Sequence, residues 1–121
     1  MEFNDSKPIY RQIIDLCFEN VLSGRWRPDE RIPSVRELAI ALAVNSHTVL
    51  KAMDYLQAHD IIFPRRGMGY YLSADARIKV EEARRQDFFE NRLESMFREM
   101  DMLGISIDEI LAHWQTRTEN S

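Results

Sequence analysis

Apolar residues near the start of the chain recur with the spacing of an amphipathic helix. The four-residue repeat consists of Ile9, Ile13, Cys17 and Val21. This pattern predicts a helix over about residues 8–23, with Ser6 as a candidate N-cap and Pro8 in the first turn. Because Cys17 falls on the apolar stripe, we expect it to be a small core residue. Trp26, in the turn that follows, is expected to anchor the core.

Two shorter helices are predicted next, each preceded by residues that cap a helix. Ser34 and Glu37 have the spacing of a capping box before a helix over residues 35–42. Asn45, a strong N-cap, precedes a third helix over residues 46–58. Its polar residues are expected to point away from the core, because its apolar stripe consists of Val49, Ala52, Met53 and Leu56.

Two short apolar runs then predict a β-hairpin. The strands are residues 61–63 and 70–72, and the tip between them contains Pro64, Arg65, Arg66, Gly67, Met68 and Gly69. The order helix, helix, turn, helix, hairpin is that of a winged helix-turn-helix. The predicted fold class is therefore mainly α with a small β-hairpin wing.

The last third of the chain is predicted to form two helices, over residues 75–102 and 107–117. The first carries a narrow seam of apolar residues at spacings of 4, 3, 4 and 3, formed by Phe89, Leu93, Met96, Met100 and Leu103. The second presents Ile107, Ile110, Leu111 and Trp114 on one face, and Ile110 and Trp114 complete the predicted dimerisation set. Two helices alone bury such a seam poorly, so we predict a two-helix dimerisation region. The alternative is that the seam packs only within the chain.

Charge divides the chain at the same place. The 121 residues have a formal net charge of −4, which by itself argues weakly against a nucleic-acid partner. Residues 1–74 contain nine basic and nine acidic groups, however, and residues 75–121 contain seven basic and eleven acidic groups. The first part is neutral and can present a basic face. We predict two domains, residues 1–74 and 75–121.

Composition limits the cellular setting and the chemistry. The sequence contains no run of eighteen apolar residues, which is about the length needed to span a bilayer. The single cysteine cannot form an internal disulfide, so we expect a cytoplasmic protein without a membrane partner. An enzyme is disfavoured because no catalytic triad, paired carboxylate site or phosphate-cradling loop stands out. The histidines lack metal-ligand spacing, and we expect no metal or cofactor.

The predicted motif places its second helix in the major groove of DNA, with N-terminal residues at the base edges. The candidates there are Ser46, His47, Thr48, Leu50 and Lys51. Leu50 either covers a thymine methyl or packs against a neighbouring side chain. Arg36 either contacts a phosphate or forms an ion pair with Glu37 or Glu30. In the wing, Arg65 and Arg66 beside two glycines favour the minor groove, the alternative being a solvated tip.

Residues 8–72 resemble the DNA-binding domain of the GntR family of bacterial transcription regulators. The resemblance lies in Pro8-Ile9-Tyr10-Arg11-Gln12-Ile13, in Arg31-Ile32-Pro33-Ser34-Val35-Arg36-Glu37-Leu38-Ala39 and in Gly67-Met68-Gly69. The short tail resembles that of the YtrA subfamily, which has a small helical dimerisation region. The resemblance implies a homodimer that binds an inverted-repeat operator in double-stranded DNA and usually represses.

The resemblance also implies which residues contact DNA. They are Arg36, Asn45, Ser46, His47, Thr48, Lys51, Arg65, Arg66, Gly67 and Gly69, and Ser34 and Leu50 complete our predicted set. The chain departs from the family pattern in three ways: Ser46-His47 stand where many relatives have an arginine, Asp29 replaces a usual glycine, and Asp60 replaces another.

The sequence is compatible with two further possibilities. A winged-helix module that binds proteins rather than DNA is compatible with the charge balance. The methionine-rich tail could also hold a small apolar effector, whose identity the sequence does not define.

Overall fold

A computed structural model describes residues 3–4 and 7–119, so the candidate cap Ser6 lies outside the described residues. The elements in chain order are α1 (Ile9–Leu22), α2 (Val35–Leu42), α3 (Ser46–Ala58), β1 (Ile62–Arg65), β2 (Gly69–Leu72), α4 (Ala76–Asp87), α5 (Leu93–Leu103) and α6 (Ile107–Glu119). The prediction of a mainly helical winged helix-turn-helix is confirmed.

The chain divides into two compact units, Met1–Ala83 and Arg84–Ser121. This division does not test the predicted domain boundary between residues 74 and 75, which stays a prediction. The hydrophobic core lies in the first unit and includes residues from α1, α3, the hairpin and the first turns of α4. Cys17 and Trp26 belong to this core, with 1% and 8% of their surface exposed, as the apolar pattern predicts.

Caps set the ends of α2 and α3, and both helices begin and end where the sequence predicts. The Ser34 hydroxyl accepts from the Glu37 amide at 3.0 Å, while a Glu37 carboxylate oxygen accepts from the Ser34 amide at 3.3 Å. These two bonds form the predicted capping box. Asn45 Oδ1 accepts from the His47 amide at 2.8 Å, which caps α3.

The strands of the hairpin differ from the predicted ones. Arg65 pairs with Gly69 in an antiparallel register, so the loop is only residues 66–68, and Arg65 belongs to β1 rather than to the tip. Pro64 is tolerated in β1 because an edge strand does not need its missing N–H group. Arg31 pairs with Tyr71 in an isolated bridge, which adds a short third segment to the sheet.

The helix predicted over residues 75–102 is not uniform. A π-helical turn, Phe88–Arg92, separates α4 from α5. A π turn contains an extra residue relative to an α turn, so the spacing from Phe89 to Leu93 does not continue one straight α-helical stripe. The prediction of one uniform helix was wrong at this point because periodicity assumes a constant 3.6 residues per turn; the seam itself stays a prediction.

Three non-glycine residues in the described part of the chain have left-handed backbone conformations. They are Asp29 with φ 65°, Ala43 with φ 54° and Asp60 with φ 58°. Each lies in a turn next to a helix or a strand of the first unit. Asp29 and Asp60 therefore adopt the glycine-like conformation that their positions require, at an energetic cost that glycine avoids.

Candidate nucleic-acid interface

The two faces of α3 are sharply different. Its apolar stripe, formed by Val49, Ala52, Met53 and Leu56, is completely buried. Ser46, His47 and Lys51 lie on the exposed side, and Thr48 is half-buried. Packing against α1 and α2 through this stripe leaves the polar N-terminal part of α3 free to enter a groove.

Leu50 is an apolar residue on this exposed side. Its side chain keeps 40% of its surface accessible. This exposure is compatible with both hypotheses for Leu50, contact with a thymine methyl and packing against a neighbouring side chain, and both stay predictions.

Lys51 is held by an aromatic ring that sequence reasoning did not assign to the site. Its Nζ lies 4.0 Å from the centroid of the Tyr10 ring, which is the geometry of a cation–π contact. Tyr10 comes from the first turn of α1. Together with Ile9, His47 and Thr48, these two residues line an open recess of about 420 Å³.

Arg36 is exposed at the start of α2. Among the described residues, neither Glu30 nor Glu37 forms the ion pair that was the alternative for Arg36. Glu37 instead pairs with Arg31, whose Nη2 lies 3.2 Å from its Oε1. Hydrogen bonds from Ser34, and then the charge of Arg31, hold the pKa of the Glu37 carboxyl below its ordinary value. Glu37 therefore remains charged through the neutral pH range.

The two wing arginines differ in their surroundings. The guanidinium carbon of Arg65 lies 4.3 Å from the centroid of the Tyr71 ring, so Arg65 is stacked rather than fully solvated. Arg66 lies in the exposed loop with Gly67. Gly67 and Gly69 have φ values of 74° and 91°, which glycine adopts without a steric penalty.

The predicted dimerisation residues differ in their exposure. Met100 is buried, Leu93, Met96 and Ile110 are half-buried, and Phe89, Leu103 and Trp114 are exposed. Ile107 and Leu111, on the apolar face predicted for the last helix, are exposed too, as are Phe88, Phe97 and Met102, which the sequence prediction did not include. Within residues 84–119, Met100 is the single buried residue.

Metal binding, membrane insertion and thiol chemistry have little support in the described part of the chain. It contains no cluster of three histidine, cysteine or acidic side chains able to hold a metal ion. No helix among these residues has the length and apolar character needed to cross a membrane. Burial raises the pKa of the Cys17 thiol to about 12, which makes it a poor nucleophile at neutral pH.

Residues 9–72 match the model of bacterial regulatory proteins of the GntR family. The chain is 34% identical to the HTH-type transcriptional regulator YhcF of Bacillus subtilis, over 98% of this chain and 96% of YhcF. It is 33% identical to the HTH-type transcriptional repressor YtrA of the same organism, over 87% of this chain and 80% of YtrA.

Solved structures show the same similarity. A GntR-family regulator from Bacteroides thetaiotaomicron superposes with a TM-score of 0.71 at 34% identity, covering 92% of this chain and 97% of the other. The DNA-binding domain of AraR in complex with operator ORR3 superposes with a TM-score of 0.55 at 25% identity, covering 60% of this chain and 88% of that domain.

Proposed function

The chain belongs to the GntR family of bacterial regulatory proteins and is a YtrA-like transcription regulator; from this premise we propose that it is a homodimeric repressor that binds an inverted-repeat operator. The observation that carries the proposal is the contrast on α3, where a fully buried apolar stripe lies opposite an exposed polar N-terminal part. In this proposal α3 occupies the major groove, residues 64–70 of the wing approach the minor groove, and the protein acts in the cytoplasm with the chromosome.

The residues proposed to contact DNA fall into two groups with different tasks. Ser46, His47, Thr48 and Leu50 would meet base edges, because N-terminal residues of a recognition helix reach the floor of the groove. The absence of an arginine at positions 46 and 47 removes the usual bidentate contact with guanine. Base discrimination would therefore depend on single hydrogen bonds and on apolar contact.

The second group would bind the backbone and the minor groove. Arg36, exposed and without an ion pair to Glu30 or Glu37 in the described residues, would neutralise a phosphate. Lys51 would do the same from α3. Arg65 at the end of β1 and Arg66 in the loop of the wing have the charge that the narrow minor groove attracts. Ser34 and Asn45 would act mainly by capping α2 and α3, which positions the neighbouring side chains.

DNA binding is tested by the salt dependence of affinity. A duplex of about 30 base pairs is first selected by the wild-type protein from a library with a randomised centre, and its Kd is measured by fluorescence anisotropy across a salt series. We expect log K to fall linearly with log salt, with a slope of about −0.9 for each phosphate contacted. Binding that is weak and indifferent to salt would refute the proposal.

The wing offers a matched pair of variants. Replacing Arg65 and Arg66 with alanine is expected to weaken binding at least tenfold at low salt, because two cations facing DNA are removed. The same replacement of the adjacent arginines Arg84 and Arg85, which lie outside the first unit, serves as the control and should leave affinity within about twofold. Unchanged affinity in the wing variant would favour a protein-interaction module instead.

The homodimer is proposed from the exposed apolar surface of the second unit. Helices gain most of their stability by burying an apolar face against a partner, yet residues 84–119 bury only Met100. Phe88, Phe89, Leu103 and Trp114 each leave between 46% and 70% of their surface accessible. A second copy of this chain, related by a two-fold axis, would cover this surface.

The dimer is tested by mass in solution. Light scattering coupled to size exclusion should give twice the 14.3 kDa chain mass at micromolar concentration. Ile107→Glu introduces a charge into the proposed interface and should shift the mass towards the monomer. Ile40→Glu is the matched control, since Ile40 in α2 is exposed by 71% and Ile107 by 61%. A monomeric wild-type protein would contradict the proposal.

A further inference from the structure

Arg31 lies between the two elements to which the proposed function assigns DNA contacts, although it was not among the predicted contacts. Its backbone pairs with Tyr71 of β2, and the neighbouring Ile32 amide donates to the Tyr70 carbonyl at 3.0 Å. The segment around Arg31 therefore runs along the edge of β2 that β1 leaves open. Arg31 is thus anchored to the wing sheet although it precedes α2 in the chain.

Gly69 leaves the space in which the Arg31 side chain lies. A Cβ atom built on Gly69 would be 3.3 Å from Arg31 Nε and 3.9 Å from Nη2. Glycine is also needed at this position because φ is +91°, a conformation that other residues rarely adopt. The backbone conformation and the arginine thus both favour glycine at position 69.

One face of the wing sheet consequently presents two arginines. Residues that pair directly across neighbouring strands share a face, so Arg31 and Tyr71 lie on the same side. Arg65 reaches the same Tyr71 ring from β1, with its guanidinium carbon 4.3 Å from the ring centroid. The two cations therefore approach this face from opposite edges of β2.

The far end of the Arg31 side chain is oriented but still accessible. Nη2 contacts Glu37 Oε1 at 3.2 Å, and 52% of the Arg31 side chain is exposed. Glu37 follows Arg36 directly, so the ion pair keeps the Arg31 guanidinium near the start of α2. A guanidinium has five N–H donors in a planar fork, so one edge can bind a carboxylate while another binds a second anion.

We propose that Arg31 is an additional phosphate contact of the DNA complex, placed between Arg36 and the wing and kept in position by Glu37 and the gap at Gly69. The inference rests on the proposed DNA-binding function and specifies a contact within it. The ligand is the DNA backbone, so the contact should add affinity without adding sequence preference.

The test compares Arg31→Gln with Arg25→Gln, which removes the same charge from an exposed arginine in the turn after α1. Binding is measured by anisotropy on the selected duplex and on an unrelated duplex of equal length, between about 50 and 200 mM salt. We expect Arg31→Gln to weaken both complexes by a similar factor, about tenfold at the lowest salt. The salt slope should become shallower by about 0.9 per protomer, and Arg31→Lys should keep most of the slope.

Each outcome decides the question. A structural role alone would lower the melting temperature of Arg31→Gln and leave the salt slope of the remaining folded protein unchanged, which would overturn the inference. Equal effects of Arg31→Gln and Arg25→Gln would overturn it too, because they would indicate a general effect of charge. If Arg36→Gln reduces the slope and Arg31→Gln does not, this inference fails and the proposed function stands. If the wild-type protein binds neither duplex, the proposed function itself fails.

Discussion

Replacing Ala43 with glycine is expected to stabilise the protein. Ala43 ends α2 with φ 54° and ψ 46°, and this left-handed residue allows the Val44 amide to donate to the Ala39 carbonyl at 3.0 Å. That hydrogen bond closes the helix end in the manner of a Schellman motif, in which glycine is the usual left-handed residue. Ala43 is exposed, so its methyl group contributes little burial.

The net effect follows from two opposing terms. The left-handed conformation costs an alanine roughly 1–2 kcal/mol, which glycine avoids. Glycine in turn increases the entropy of the unfolded chain, at a cost of about 0.4–1 kcal/mol. We expect Ala43→Gly to raise the free energy of unfolding by about 0.5–1 kcal/mol, which corresponds to an increase in Tm of roughly 2–5 °C for a chain of this size.

The assay is urea denaturation followed by circular dichroism, at one protein concentration because a dimer makes stability depend on concentration. Ala41→Gly is the matched control. Ala41 is also exposed and lies in α2 itself, where glycine should destabilise by about 0.5–1 kcal/mol. The two substitutions should therefore have opposite signs. A loss of stability in Ala43→Gly similar to that in Ala41→Gly would refute the reasoning.

Three further predictions concern the caps and the buried thiol. Ser34→Ala should lower the free energy of unfolding by about 1 kcal/mol in urea titrations. The Ser34 hydrogen bonds lower the pKa of Glu37, so they stabilise the folded state above the ordinary carboxyl pKa, and this stabilisation is lost as the pH falls. Ser34→Ala should therefore also make the free energy of unfolding depend less on pH in the acid range. Asn45→Ala should lower the free energy of unfolding by about 1 kcal/mol. Asn45→Asp preserves an acceptor for the His47 amide and should recover most of that free energy. Cys17, with its pKa raised to about 12 by burial, should resist a thiol-specific chromogenic reagent at pH 8 until denaturant is added; rapid labelling of the native protein would contradict its burial.

The wing shows where sequence patterns lose accuracy. The apolar runs correctly predicted two antiparallel strands, but they placed Arg65 in the tip. In the structure the antiparallel register continues past Pro64, which pairs with Tyr70, to Arg65, which pairs with Gly69. This pairing then puts Arg65 on the Tyr71 ring, a contact that the local composition does not encode.

The second unit shows a different failure. The heptad-like spacing predicts a seam for a partner helix, and this stays a prediction: Phe89 and Leu103 are exposed, Leu93 and Met96 are half-buried, and Met100 is buried. The π-helical turn at Phe88–Arg92 interrupts the predicted continuous helix. A local change in helical pitch alters which residues share a face, and no capping residue or proline marks it in the sequence.

The sequence by itself determined the bounds of α2 and α3, the buried stripe of α3 and the presence of the wing. The caps and the stripe depend on residues within four positions of one another, such as Ser34 with Glu37, and the hairpin pairs residues at most ten positions apart, so a linear pattern contains the necessary information. Only the tertiary structure decided that Tyr10 holds Lys51 and that Arg31 joins the wing sheet beside Gly69. Those contacts join residues about forty positions apart, and they form because the packing of α1 and the sheet brings distant segments of the backbone together.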